Sequence, residues 1–319
     1  MIRKFALLPV PVFLIAAASI GGALRAQPSG PFTIVETGQA FTSLQDAVGA
    51  IGGGRGTIRI APGRYGDCAV QEAGSVAFVA ATPGTAIFDG GICEDKAVLV
   101  LRGRSARVEG LVFTHMHVGD GNGAGIRIEH GDLDVVQAMF VDGQCGILSA
   151  TDPHGTIRID HSTFSRLGKE PDGSGAHSVY IGHYGALSVT ASRFERGTGG
   201  HYLKSRSPRI EVLNNSFDDS RGEDTNYMID LPEGAVGRIA GNIFLQGNGK
   251  ENYSTLIAVH AEEGHNPSAG LVVEDNVASV APGFIWTSAF VGDWSGEALV
   301  IRNNRLGERI TEFERHRPR

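Results

Sequence analysis

One eight-residue phrase recurs along this chain of 319 residues: ARVEGLVF, LDVVQAMF, IRIDHSTF, LSVTASRF, IEVLNNSF and GRIAGNIF. Its closing residues, Phe113, Phe140, Phe164, Phe194, Phe217 and Phe244, stand 27, 24, 30, 23 and 27 positions apart. Two weaker copies follow, LVVEDNVA and LVIRNNRL. Periods in the twenties, alternating apolar residues and 45 glycines predict stacked coils of short strands rather than helices. Between the phrases runs a second strand series: GIRIEH, GILSA, SVYIG, YLKSR, YMIDL and LIAVH. The expected fold is all-β, a single solenoid whose equivalent strands pair in parallel at the ordinary spacing of ~4.8 Å. Asn215, Asn242, Asn276 and Asn304 share one place in the phrase, where stacked amides satisfy one another as an inward ladder.

The two ends read differently. FTSLQDAVGAI predicts a short capping helix from Ser43 to Ile51, with Thr42 and Gln45 at capping-box spacing. Such a helix covers apolar core and unpaired strand groups at the open end of a solenoid. Before it, Arg3 and Lys4, the apolar run Phe5 to Ile20 and Ala26 predict a secretory signal peptide over 1–26. That run is broken by Pro9 and Pro11 and is short of the ~20 residues a membrane span needs. The solenoid domain is then expected over 27–310 with a tail at 311–319, in a periplasmic or extracellular protein with no stable membrane span. Three basic residues leave with the leader, taking the net charge from −7 to −10. That excludes general affinity for nucleic acid or anionic membranes. Cys68 and Cys93 lie about one repeat apart and are expected to bridge in an oxidising compartment, with Cys145 a buried small hydrophobe.

Strand alternation then sorts the side chains. In HYLKSR it turns Leu203 and Ser205 inward and Tyr202, Lys204 and Arg206 outward; elsewhere it exposes Tyr180, Met228, Asp230, Ala258 and His260. Stacking predicts two columns, one running Arg127, Leu148, Tyr180, Lys204, Met228, Ala258. The other runs Glu129, Ala150, Gly182, Arg206, Asp230, His260. The patch suits removal of a proton beside a carboxylate, which needs a cation on the carboxylate, a base and an acid. Lys204, Arg206, Tyr180 and His260 are the candidate catalytic residues. The charge of Arg206 is expected to disfavour the Lys204 ammonium and make it a neutral base, while Arg206 grips a carboxylate. Asp230, Tyr202, His183 and Arg127 are the candidate substrate-binding residues. His177 and His201, with inward parity, are expected to make structural hydrogen bonds. Glu129 and Asp230 stand four coils and ~19 Å apart, too far for a two-carboxylate hydrolase, which would need loop acids such as Asp152, Asp172 or Asp224. No cofactor is expected; calcium in the GDGNG turn at 119–123 is the alternative.

SLQDAV…TIRIAPGRY and the Asn-Asn-x-Phe coils resemble the right-handed parallel β-helix proteins of the pectate-lyase-like superfamily, from Phe41 to about Gly307. The resemblance implies a right-handed parallel β-helix, in a superfamily that holds lyases, hydrolases, epimerases, phage tailspikes and adhesins. RSPRIEVLNNSF is similar to the pectate-lyase run Arg-x-Pro-x-x-Arg at Arg206 and Pro208, followed by Asn214, Asn215 and Phe217; Glu211 replaces the second Arg, and the calcium-binding Asp cluster has no counterpart. Lys204 with Arg206 resembles in type the Lys base and nearby Arg of the chondroitinase-B and alginate-lyase branch. Asp152-Pro153-His154 resembles the Asp-Pro-His of alginate epimerases at a different offset. The expected function is a polysaccharide lyase cleaving an anionic, uronate-containing glycan by β-elimination. A non-catalytic glycan-binding or adhesion module, a uronan epimerase and a glycoside hydrolase are the alternatives.

Overall fold

The computed structural model describes residues 1–2, 30–168 and 176–317; Asp172 and all but the first two residues of the expected leader lie outside them. The described chain is a parallel β-solenoid of about nine turns. Each coil contributes one strand to each of three sheets; the first has 12 strands to the others' 10 because Phe32–Ile34 and Ala40–Phe41 add to its edge in antiparallel fashion. The recurring phrase is therefore two strands rather than one. In IEVLNNSF, Arg209–Leu213 joins the first sheet and Ser216–Asp218 the second.

What splits the phrase is a two-residue corner. Its first residue takes the left-handed conformation in coil after coil: Gln137 (φ 51°), His161 (48°), Ala191 (47°), Asn214 (58°), Asp275 (56°) and Asn303 (57°). Side-chain-bearing residues hold that conformation only where the surrounding structure imposes it. The second residue supplies the imposition. Asn215 Nδ2 donates to Asn242 Oδ1 (3.0 Å), Asn242 to Asn276 (3.0 Å) and Asn276 to Asn304 (2.9 Å). Each of these oxygens also accepts the backbone N–H of the preceding asparagine, at 2.8–3.1 Å. The ladder continues toward the N-terminus as serines: Ser192 N donates to Asn215 Oδ1, Ser162 N to Ser192 Oγ and Ala138 N to Ser162 Oγ.

The phenylalanines of the second sheet form one stack. From Phe113 to Phe244 successive rings are 4.8–5.0 Å apart and within 8° of parallel, all fully buried. The facing third sheet gives way with glycine. A Cβ on Gly125 would come within 2.6 Å of the Phe140 ring, and one on Gly146 within 2.7 Å of Phe164.

The N-terminal end carries the helix, Leu44–Ile51. Its cap is Ser43, which accepts from Asp46 N at 3.3 Å. Thr42 is not the cap, and Gln45 instead binds both backbone groups of Val70 in the next coil. At the other end, Ile310–Arg315 forms a further strand on Ser288–Asp293. Cys68 and Cys93 are disulfide-bonded with Cα atoms 5.6 Å apart, and Cys145 is buried. Among the described residues no helix is long and apolar enough to cross a membrane.

Candidate functional site

The third sheet carries the cluster. Its strands Val179–Ile181, Leu203–Ser205, Ile229–Leu231 and Thr255–Val259 align Tyr180 with Lys204, Lys204 with Asp230 and Asp230 with Ala258. Asp230 therefore belongs to the Lys204 column, not the Arg206 column. The string YMIDL begins in the turn, two residues before pairing starts, so Met228 lies in the core instead of in the exposed column. The same register puts Pro232 between Arg206 and His260, which stand two coils, or ~9.6 Å, apart. His260 is left-handed (φ 62°), with Nδ1 buried and unpartnered beside Gly234.

Two cations and three carboxylates meet here. Lys204 Nζ donates to Asp230 Oδ2 (2.8 Å) and to Glu262 Oε1 (2.6 Å). Arg206 uses all three nitrogens: Nε donates to the Tyr180 hydroxyl (3.0 Å), Nη1 to Glu233 (2.6 Å) and Nη2 to Glu262 Oε2 (2.6 Å). The Tyr180 ring lies 6.0 Å from Lys204 Nζ and 5.9 Å from the guanidinium carbon. Burial works against the Lys204 ammonium, but Asp230 and Glu262 outweigh it and raise the lysine above its ordinary value. The expected neutral base is thus corrected: two bound carboxylates override one neighbouring guanidinium. Burial likewise opposes the Arg206 charge, and Tyr180, Glu262 and Glu233 overcome it. Burial pushes Glu262 and Glu233 up, yet the cations hold both below the usual carboxylate range. Burial dominates at Asp230 and pushes it up, only partly offset by Lys204.

Glu233 and Glu262 went unread in the sequence. They sit in LPEG and HAEEG, just past the ends of two strands of this sheet, where alternation no longer says which way a side chain points. Acids closely following the strands next to a cation-bearing one were the available signal.

Behind the cluster is a ring stack. His177 and His201 lie 4.8 Å apart, and His201 and Tyr227 5.3 Å apart. His177 Nδ1 accepts the backbone N–H of His201 (3.0 Å), and His201 Nδ1 that of Tyr227 (3.1 Å). The neutral tautomer then carries its proton on Nε2, and that of His201 faces Asp230 Oδ2 at 3.3 Å. Burial holds His177 well below its ordinary pKa and His201 down to about 3. Both are structural hydrogen-bonding residues.

In front opens a groove of about 490 Å³, onto which Lys96, Arg127, Leu148, Tyr180, His183 and Arg206 face. Arg127 approaches Glu129 at 3.7 Å, and His183 Nε2 lies 2.9 Å from Glu233 Oε2. Tyr202 is a correction. It is 1 % exposed and belongs to the core, since the strand starts only at Leu203. Its hydroxyl donates to Asp219 (2.7 Å), which also pairs with buried Lys250 (3.2 Å). Asp152 is buried and accepts from Gly131 N (2.8 Å) and His154 N (3.1 Å), so it ties a turn. In GDGNG, Asp120 accepts from Asn122 N (3.0 Å), and no group of three or more His, Cys, Asp or Glu among the described residues is arranged to hold a metal.

No protein-family model matches this chain. No curated protein matches it either.

Proposed function

We propose that the protein is a secreted or periplasmic polysaccharide lyase that cleaves a uronate-containing glycan by β-elimination in this groove. The observation that carries the reading is the bond from Arg206 Nε to the Tyr180 hydroxyl. Because that oxygen accepts from Arg206, its own proton is directed elsewhere, and Tyr180 faces the groove. The guanidinium also meets any negative charge that develops on the phenol oxygen during proton transfer. In this reading Tyr180 first gives its hydroxyl proton to water; the phenolate, held by Arg206, takes the proton next to the sugar carboxylate and passes it to the departing oxygen as that carbon–oxygen bond breaks. Lys204 and Arg206 are fixed cations that neutralise the carboxylate, not bases. Arg127 and Lys96 add cations to the groove lining, with Asp95 and Asp120 beside them. We place the coil in the right-handed class, as nearly all β–crossover–β connections are. The disulfide supports an oxidising compartment.

The gathering of Asp230, Glu233 and Glu262 favours a glycoside hydrolase as the second reading. It is weaker. Glu233 and Glu262 are held ionised, and the one carboxyl pushed up, Asp230, is 3 % exposed and bound by Lys204. Incubation with a panel of uronate polymers separates the two. A lyase yields an unsaturated, ultraviolet-absorbing product; a hydrolase yields new reducing ends without that absorbance. Binding with neither product would leave a glycan-binding module.

A further inference from the structure

Glu262 differs from its neighbours. Its side chain is 43 % exposed, against 8 % for Lys204 and 17 % for Arg206, the two cations it joins. Each cation has another, less exposed carboxylate: buried Asp230 for Lys204 and half-buried Glu233 for Arg206. Without Glu262 the site would hold two neutral pairs. It would also hold two donors directed at one place, a proton of Lys204 Nζ and the Nη2 of Arg206. That is a seat for a single monoanion with two oxygens. Glu262 fills it in that manner, Oε1 on Lys204 and Oε2 on Arg206, both at 2.6 Å.

Its backbone is held independently of its carboxylate. Glu262 N donates to Pro232 O (2.8 Å), and Asn266 Nδ2 donates to Arg206 O (3.1 Å) and Gly234 O (3.2 Å). Rotation of one side chain therefore vacates the seat without moving the loop. We infer that Glu262 is an internal stand-in for the carboxylate of the substrate, occupying its subsite on Lys204 and Arg206 until a uronate displaces it. This rests on the lyase reading for the sugar, but not for the anion. An intramolecular carboxylate competes at high effective concentration, so affinity for a uronate is set by the difference between the two anions.

Calorimetric titration of the full chain with sodium glucuronate, and with glucose as the uncharged control, tests this. Glu262→Ala should bind glucuronate at least ~10-fold tighter than the parent, with glucose binding unchanged. Adding Arg206→Gln should remove the gain. Glu262→Gln keeps the shape and one hydrogen-bonding oxygen while losing the charge, so it should show a smaller gain; it decides the matter if the alanine variant does not fold. An unchanged glucuronate affinity in a folded variant, or an equal gain for glucose, overturns the inference. The lyase reading fails separately. Tighter glucuronate binding with no unsaturated product from any uronate polymer removes the lyase and keeps the subsite, whereas turnover without tighter binding does the reverse.

Discussion

Asp230 follows Lys204 by one coil in exact strand register, and its Oδ2 accepts from Nζ at 2.8 Å with both side chains almost wholly buried. Breaking a buried pair from one side leaves an uncompensated charge and costs about 3–5 kcal/mol. Asp230→Ala should lower stability by about that amount in urea unfolding followed by circular dichroism. Lys204→Met with Asp230→Leu should recover most of it. A single variant as stable as the parent would mean that Glu262 alone satisfies the ammonium.

Tyr180→Phe removes only the hydroxyl on which Arg206 Nε rests. Loss of a proton-transfer group costs about 10²–10⁴-fold in rate, so kcat on a cleaved uronate polymer should fall within that range while KM stays within a few-fold. Undiminished kcat would move proton transfer to another residue.

Stability should also fall on mild acidification. His201 is held down to about 3 by burial against an ordinary 6.5, and His177 is lowered too. The unfolded chain therefore binds more protons below pH 6.5, and the stability fully present above that pH is lost as pH falls toward 3. Well below 6.5 each histidine contributes a slope of about 1.4 kcal/mol per pH unit. Glu233 and Glu262, lowered from 4.5, add their own losses only below that value, while Asp230, pushed up by burial, gains its proton earlier in the folded chain and works against the histidine slope. Over the interval from 6.5 to 4.5 the comparison of parent with a histidine variant therefore isolates the histidines. His201→Gln, with an oxygen still able to accept from Tyr227 N, should lose one histidine's share of the slope. A parent whose unfolding midpoint is flat over this interval would contradict the buried neutral stack.

Position along the ladder should matter. Asn242 accepts from Asn215 N and Nδ2 and donates to Val212 O and Asn276. Asn242→Ala strands buried partners on both sides, each worth about 1–3 kcal/mol. Asn304, the last and half-buried asparagine, serves only one neighbouring coil, so Asn304→Ala should cost less. Hydrogen exchange at the Asn215 amide distinguishes them: fast in the first variant, protected in the second.

The coil was legible because its signals repeat. Six phenylalanines and four asparagines at recurring places state the stack and the ladder before any geometry is known. The division of the phrase between the first and second sheets was hidden because the left-handed corner inside it often falls on Gln, His, Ala, Asn or Asp, which do not announce a turn as glycine would. Tyr180, Lys204, Arg206 and Asp230 were legible as one cluster because strand alternation names them. Tyr202 and Met228 were misread at strand starts, where a shift of one or two residues changes the face or the neighbour. Glu233 and Glu262 lay past strand ends, where no periodicity applies.

The corner between the first two sheets is two residues long in the coils that carry the cluster, as at Asn214–Asn215 and Gly241–Asn242. Every variation in length among those coils consequently enters on one flank or the other of the third sheet, such as the stretch from Val259 to Val272 that carries Glu262. Residues can be added or removed around the groove while the opposite seam keeps count, so its walls can be recut without disturbing the frame that aligns Tyr180 with Lys204.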